Sequence, residues 1–140
     1  MKLKIKKLHP DAKIPKYAHQ DDAGFDLCAI ENITIKVGER FPVQTGIAME
    51  IPEGYVGLIW DKSGVSVKHG IKTIAGVVDS TYRGEILVAV MNLSDKDYLF
   101  EKGHKVAQMI IQKKETAEFE EVDELSTTVR GEGRLGSTGK

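Results

Sequence analysis

The sequence predicts an all-β fold with one short helix, and three observations carry that expectation. The chain holds 13 Ile and 12 Val against 9 Leu and 9 Ala, and β-branched side chains suit a pleated strand better than a helix. Its 14 glycines in 140 residues exceed the usual share of about 7% and stand as breakers between apolar runs. Apolar and polar residues alternate with period two in many short segments, the pattern of a sandwich, jelly roll or barrel.

The elements follow in order. Leu3 and Ile5 alternate with lysines. Ile33, Ile35 and Val37 alternate with Thr34 and Lys36 until Gly38-Glu39 turns the chain. Ile47, Met49 and Ile51 alternate up to the turn Pro52-Glu53-Gly54. Tyr55–Trp60 (YVGLIW) has little polar content and is expected to be buried on both faces, as are Glu85–Asn92 (EILVAVMN) and Lys105–Gln112 (KVAQMIIQ). Phe119–Val122 is a shorter strand candidate. Ser63–His69 (SGVSVKH) is the one helix expected, with Ser63 as its N-cap and Gly70 just past its end. The last eleven residues, RGEGRLGSTGK, hold a single apolar side chain, so by themselves they predict a frayed tail.

Length and charge bound the function. At about 150 residues per domain the chain is one domain, with no repeat or linker. Lys and Arg number 20 and Asp and Glu 21, a formal net charge of −1. That balance argues against stable nucleic-acid or membrane-surface binding, which need a basic excess. The single cysteine, Cys28, excludes an internal disulfide and a Cys-x-x-Cys knuckle. The four histidines lack metal-ligand spacing. No apolar run reaches the roughly 18 residues of a membrane span, and the N-terminus lacks an apolar signal core, so a cytoplasmic or nuclear location is expected.

Several stretches bear chemistry. In Asp61-Lys62-Ser63-Gly64 a lysine, a hydroxyl and a glycine precede a helix start, where N–H groups face anions. In Gly76-Val77-Val78-Asp79-Ser80-Thr81-Tyr82-Arg83-Gly84 a strand delivers an aspartate to its end, as a general base requires, with a tyrosine as a flat wall for a ring. Asp26 sits in an apolar frame, and Gln108 interrupts an apolar strand and needs polar partners. Taken alone, each has a plainer explanation: a helix cap, a turn-initiating aspartate, a satisfied core amide. Gly131, Gly133 and Gly136 match G-x-G-x-x-G, but a dinucleotide fold needs a following helix and an acidic residue some 20 positions on. Here the sequence stops four residues later. What remains is a glycine- and hydroxyl-rich strip with an arginine, suited to wrapping a phosphate.

Together, AGFDL, DKSG with VKHGI, AGVVDSTYRGEI, KGHKVAQMII and RGEGRLGSTG resemble the five motifs of the trimeric dUTPase family, in order from Ala23 to Gly139. The resemblance implies a distorted jelly-roll-like β-barrel or sandwich assembled as a homotrimer, with active sites shared between chains. Residues 1–129 would form the β domain and residues 130–140 a flexible arm closing over the site. The implied reaction is hydrolysis of dUTP to dUMP and pyrophosphate with magnesium, which limits uracil in DNA and supplies dUMP for dTTP synthesis.

Residue by residue, Asp79 matches the general base that activates water for attack on the α-phosphorus. Tyr82 matches the residue packed on the deoxyribose, and Gly76, Val77 and Val78 fall in the strand whose backbone reads uracil. Lys62, Ser63, Gly64 and Gln108 match phosphate contacts. Asp26 matches a carboxylate that reaches magnesium through water. Arg130, Leu135, Gly136, Ser137 and Thr138 match the arm. Two positions depart from the family: Lys62 replaces its usual arginine and Leu135 its usual aromatic. Two rival readings share the fold. One is a non-catalytic dUTP-binding or regulatory protein. The other is a dCTP deaminase, whose catalytic glutamate would fall where this chain has Ala89.

Overall fold

The computed structural model of the protein describes residues 1–134. The strands are β1 (Lys4–Lys7), β2 (Phe25–Cys28), β3 (Ile33–Ile35), β4 (Arg40–Glu50), β5 (Tyr55–Asp61), β6 (Ile71–Thr73), β7 (Val77–Val78), β8 (Glu85–Asn92), β9 (Tyr98–Phe100) and β10 (Lys105–Lys113), with helix α1 (Ser63–His69) between β5 and β6. Every pairing is antiparallel. One sheet runs β1-β4-β8-β6, a second runs β2-β10-β5-β7, and β3 pairs with β9 alone. Val43, Ile47 and Met49 of β4, Val88 and Val90 of β8, Phe25 and Leu27 of β2, and Met109 of β10 belong to one buried apolar cluster. The two larger sheets therefore share a core as a sandwich, and neither closes into a barrel. No helix among the described residues is long and apolar enough to cross a membrane.

Four local expectations are corrected. The run YVGLIW is not buried on both faces: Ile59 and Gly57 point inward while Trp60 is 54% exposed. An apolar run reads as doubly buried only if the fold supplies a layer for each face, and this chain supplies one. β8 likewise alternates, with Ile86, Val88, Val90 and Asn92 buried and Leu87 half-exposed. Phe119–Val122 forms no strand, since no neighbouring strand pairs with it among the described residues, and Phe119 is fully open to solvent. Ser63 is the first helical residue rather than the cap: Lys62 occupies the cap position, and no side chain caps the helix. Gly70 does end the helix, at φ +67° with its N–H bonded to Ser66 O (2.9 Å).

β4 changes register between Gln44 and Ala48. Gly46 sits there at φ +67°, and a Cβ would come within 2.8 Å of Ile30 and 2.9 Å of Ala12. Its N–H donates to Glu85 Oε1 (2.7 Å), and Thr45 Oγ1 donates to Ile86 O (2.6 Å). The bulge thus fixes the start of β8, next to the pocket described below.

Asn92 anchors the other end of β8. It is fully buried, and its amide uses all its capacity. Nδ2 donates to Ile35 O (3.0 Å) and Lys96 O (2.8 Å), and Oδ1 accepts from Ser94 N (2.9 Å) and Ser94 Oγ (2.7 Å). Leucine at this site would remove the partner of the buried Ile35 carbonyl and of the Ser94 N–H, and leave Lys96 O only its bond from Ser94 Oγ (2.9 Å). Asn92→Leu is expected to cost about 2–4 kcal/mol, read by urea unfolding with an unchanged m-value. A loss under about 0.5 kcal/mol, the size of an ordinary surface substitution, would contradict this account.

Candidate active site

The segment after α1 changes sheets. β6 pairs with β8 (Ile71 with Asn92, Thr73 with Val90), and β7 pairs with β5 (Val77 with Leu58, Val78 with Gly57). At the crossing, Ile74 N–H donates to Ala89 O (3.1 Å) and Ile59 N–H to Gly76 O (2.8 Å). A Cβ on Gly76 would stand 2.5 Å from Ile59 O, so only glycine permits this approach. The crossing leaves a pocket of about 230 Å³ lined by Ile59, Gly76, Val78, Asp79, Tyr82 and Ile86 among others.

Asp79 and Tyr82 enclose one turn at its mouth, closed by Tyr82 N–H to Asp79 O (3.1 Å). Arg83 staples the turn by donating from Nη1 to Ser80 O (2.6 Å) and Tyr82 O (2.8 Å). The Tyr82 hydroxyl donates to Glu85 O (3.0 Å). Its ring lies so close to Gly84 that a Cβ there would reach within 2.6 Å of Tyr82 Cζ. Asp79 itself is exposed, within reach of solvent water. Sequence reasoning gave Gly84 and Glu85 no role. Both act through contacts that spacing does not announce.

A second group forms at the other end of β5. β10 lies between β2 and β5, so Gln108 is opposite Asp26 on one side and Trp60 on the other. Gln108 Nε2 donates to Asp61 O (3.0 Å). Gly24 makes room for it, since a Cβ there would be 3.0 Å from Gln108 Oε1. The Asp26 carboxylate is 13% exposed and accepts Lys62 Nζ at Oδ1 (2.8 Å) and Lys105 Nζ at Oδ2 (2.6 Å). Burial pushes its pKa up, but the hydrogen bonds and charges of Lys105 and Lys62 together outweigh burial and hold it below the usual carboxylate range.

Asp61 is held the same way. Burial raises its pKa, but the hydrogen bonds from Lys72 and from the Thr73 N–H and hydroxyl (both 2.7 Å), with the Lys72 charge, outweigh burial and lower it. That cluster ties the end of β5, next to the loop before α1, to β6. Gly64 has open space above it, with nothing within 4 Å of a Cβ. Neither Asp61 nor Lys105 was singled out from the sequence, although both lie within quoted motifs.

The predicted residues therefore fall into two groups. Lys62, Ser63, Gly64, Gln108 and Asp26 gather at one end of β5. Gly76, Val77, Val78, Asp79 and Tyr82 gather at the other. Val78 pairs with Gly57, and Lys62 lies five residues further along, roughly 16 Å at about 3.3 Å per residue. Arg130 is exposed and bonds Gly133 O (3.2 Å), with neither group as its partner. Leu135, Gly136, Ser137 and Thr138 lie outside the described residues. Among the described residues no group of three or more His, Cys, Asp or Glu side chains is assembled around a metal position.

Comparison with known proteins places this arrangement. A family model described as dUTPase matches residues 10–139. The deoxyuridine 5'-triphosphate nucleotidohydrolase of Nautilia profundicola is 49% identical over 142 aligned positions, covering 100% of both chains. That of Thermobifida fusca is 43% identical over 99% of this chain and 79% of its own. Among solved structures, a Staphylococcus bacteriophage 80alpha dUTPase with dUpNHpp superimposes with a TM-score of 0.90 at 30% identity, covering 99% of each chain. A dUTPase from phage phi11 of S. aureus, described with a structural Mg(II) ion, gives 0.85 at 27% identity, covering 91% of this chain and 100% of that one. The match over essentially the whole length, joined to the two groups of site residues, establishes that the chain belongs to the dUTPase family.

Proposed function

We propose that the protein hydrolyses dUTP to dUMP and pyrophosphate as a homotrimer, each active site taking the base-side group from one chain and the phosphate-side group from another. The observation that carries the reading is the single turn holding Asp79 and Tyr82 over one pocket. It sets a carboxylate beside a flat apolar wall. The roughly 16 Å along β5 between Val78 and Lys62 supports sharing. A triphosphate bonded to the sugar at the Tyr82 wall is more readily met by a neighbour's lysine than by the chain's own.

In this reading Asp79 accepts a proton from a water molecule as the water oxygen bonds the α-phosphorus in line. The bond from that phosphorus to the bridging oxygen breaks, and pyrophosphate leaves with the electron pair. The Tyr82 ring packs against the deoxyribose and excludes a 2'-hydroxyl. Its hydroxyl bond to Glu85 O and its contact with Gly84 keep it there. Backbone groups at Gly76, Val77 and Val78 pair with uracil, and cytosine would leave them facing like partners, a strong discriminator. Lys62, Ser63, Gly64 and Gln108 hold the phosphates.

Asp26 fits magnesium as a single hard oxygen donor, suited to an ion whose other ligands are phosphates and water. When bound, the ion would neutralise phosphate charge. The arm, with Arg130, Leu135, Gly136, Ser137 and Thr138, would close over the nucleotide and expel water. The protein would act in the cytoplasm, on the soluble nucleotide pool. Ala89, whose carbonyl accepts from Ile74 N–H, offers no carboxylate for a deaminase.

Three outcomes test this. Asp79→Asn should lose at least about 100-fold in turnover while still binding dUpNHpp, and turnover within a few-fold of the parent would overturn the assignment. Lys62→Met and Asp79→Asn chains, each nearly inactive, should complement when co-expressed. Random assortment in a closed ring gives about a quarter of the sites one intact half from each chain, and an inactive mixture would rule out shared sites. Removing residues 130–140 takes away a single apolar side chain, so the melting temperature should hold while hydrolysis falls sharply. Full activity of the shortened chain would remove the arm from the mechanism.

A further inference from the structure

Glu85 joins two parts of the fold that lie apart in sequence. Its carboxylate accepts the Gly46 N–H at Oε1 (2.7 Å), with Gln44 Nε2 3.4 Å from Oε2, and its backbone carbonyl accepts the Tyr82 hydroxyl (3.0 Å). It also lines the pocket at whose mouth Asp79 and Tyr82 stand. The carboxylate contact falls where the β4–β8 ladder is interrupted. β4 takes four residue steps from Gln44 to Ala48 while β8 takes two from Leu87 to Glu85. Gly46 therefore has a register partner in neither β8 nor β1. It is buried, its carbonyl accepts the Leu8 N–H (2.7 Å), and its own N–H goes to Glu85. A buried N–H displaced from its ladder needs an acceptor, and here a side chain supplies it.

The Tyr82 ring depends on the same residue. The turn and Arg83 hold the Tyr82 main chain, but those bonds act at the backbone. The hydroxyl lies at the far end of the side chain, on the ring axis. A bond there leaves rotation about that axis free and restrains the swing of the ring about Cα–Cβ. Its acceptor sits on the end residue of β8, which is placed by its pairing with Ala48 and by the grip of its own carboxylate on the bulge.

We propose that Glu85 is a positioning residue for sugar selection: its carboxylate fixes residue 85 to the β4 bulge, and so fixes the carbonyl that holds the Tyr82 ring against a 2'-hydroxyl. The proposal rests on the reading of Tyr82 as the wall beside the deoxyribose. A wall separates a hydrogen from a hydroxyl only as far as it resists displacement. Loosening its anchor therefore admits ribose more than it harms deoxyribose.

The test compares kcat/KM for dUTP and for UTP, both with magnesium, in the parent, Glu85→Ala, Glu85→Gln, Tyr82→Phe and the Glu85→Ala/Tyr82→Phe double variant. Thermal melting of each establishes that it is folded. Glu85→Ala is expected to lower the dUTP:UTP ratio by roughly 10-fold, within the range of coupling inside one hydrogen-bond network. Glu85→Gln keeps an amide oxygen for the Gly46 N–H and should stay within about 3-fold of the parent ratio. Tyr82→Phe keeps the ring but not its hydroxyl bond, and should lower the ratio as well. Removing the Glu85 carboxylate from that variant should cost under about 3-fold more, since the two residues act through one bond. If Glu85→Ala melts below the assay temperature, Glu85→Asp, a methylene too short to keep the Gly46 contact, carries the same comparison.

An equal loss for both nucleotides, with the ratio kept, would make Glu85 a structural residue only and overturn the proposal. A Glu85→Gln variant as permissive as Glu85→Ala, or losses that multiply in the double variant, would overturn it too. A parent that hydrolyses no dUTP would instead overturn the proposed function, and a parent that takes UTP as readily as dUTP would overturn the reading of Tyr82.

Discussion

The hydrogen bond from Ile59 N–H to Gly76 O, 2.8 Å long, is the contact on which the rest of the site depends. It attaches the segment leaving the β6–β8 edge to the edge of the opposite sheet. It starts the β5–β7 pairing that Leu58–Val77 and Gly57–Val78 continue, and the pocket lies between that crossing segment and β8. The approach is possible only because residue 76 lacks a side chain. Everything that follows inherits its position from that attachment: two residues of β7, then the Asp79–Tyr82 turn, then the fold-back of Tyr82 against Gly84.

Rigidity on the base side is built from backbone and packing. The Tyr82 ring is fixed by its own turn, by the Glu85 carbonyl, and by the absence of a Cβ at Gly84. Glu85 also bonds the N–H of Gly46 at the bulge of β4. In the proposed function this ring is the wall that excludes a 2'-hydroxyl, and discrimination by sterics is lost once a ring can step aside. The other group is built differently, from ion pairs between half-exposed lysines and largely buried carboxylates.

The same division bears on pH. Asp26 and Asp61 both have depressed carboxyl pKa values, so their pairing adds stability above the unfolded carboxylate range and loses it as pH falls through their folded values. Between neutral pH and that acidic window, both clusters remain ionised and hold the loop before α1 in place.

The sequence by itself determined the all-β class, the place of the one helix and its glycine stop, and the motifs that identify the family, because these rest on local properties. β-Branched alternation, breaker residues and short motifs in fixed order are visible in one dimension. It could not assign YVGLIW a solvent face, since whether a second layer covers a strand depends on residues far away. β6 and β9 are three residues each, too short for a period to register. Ser63 has a residue type that favours the cap, but the backbone places Lys62 there in an extended conformation and Ser63 as the first helical residue. Only the tertiary structure brought Lys105 to Asp26 across 79 positions of sequence, and only it separated Asp79 from Lys62 along β5. Proximity across strands is set by register, and register is decided by which faces the whole sandwich can bury.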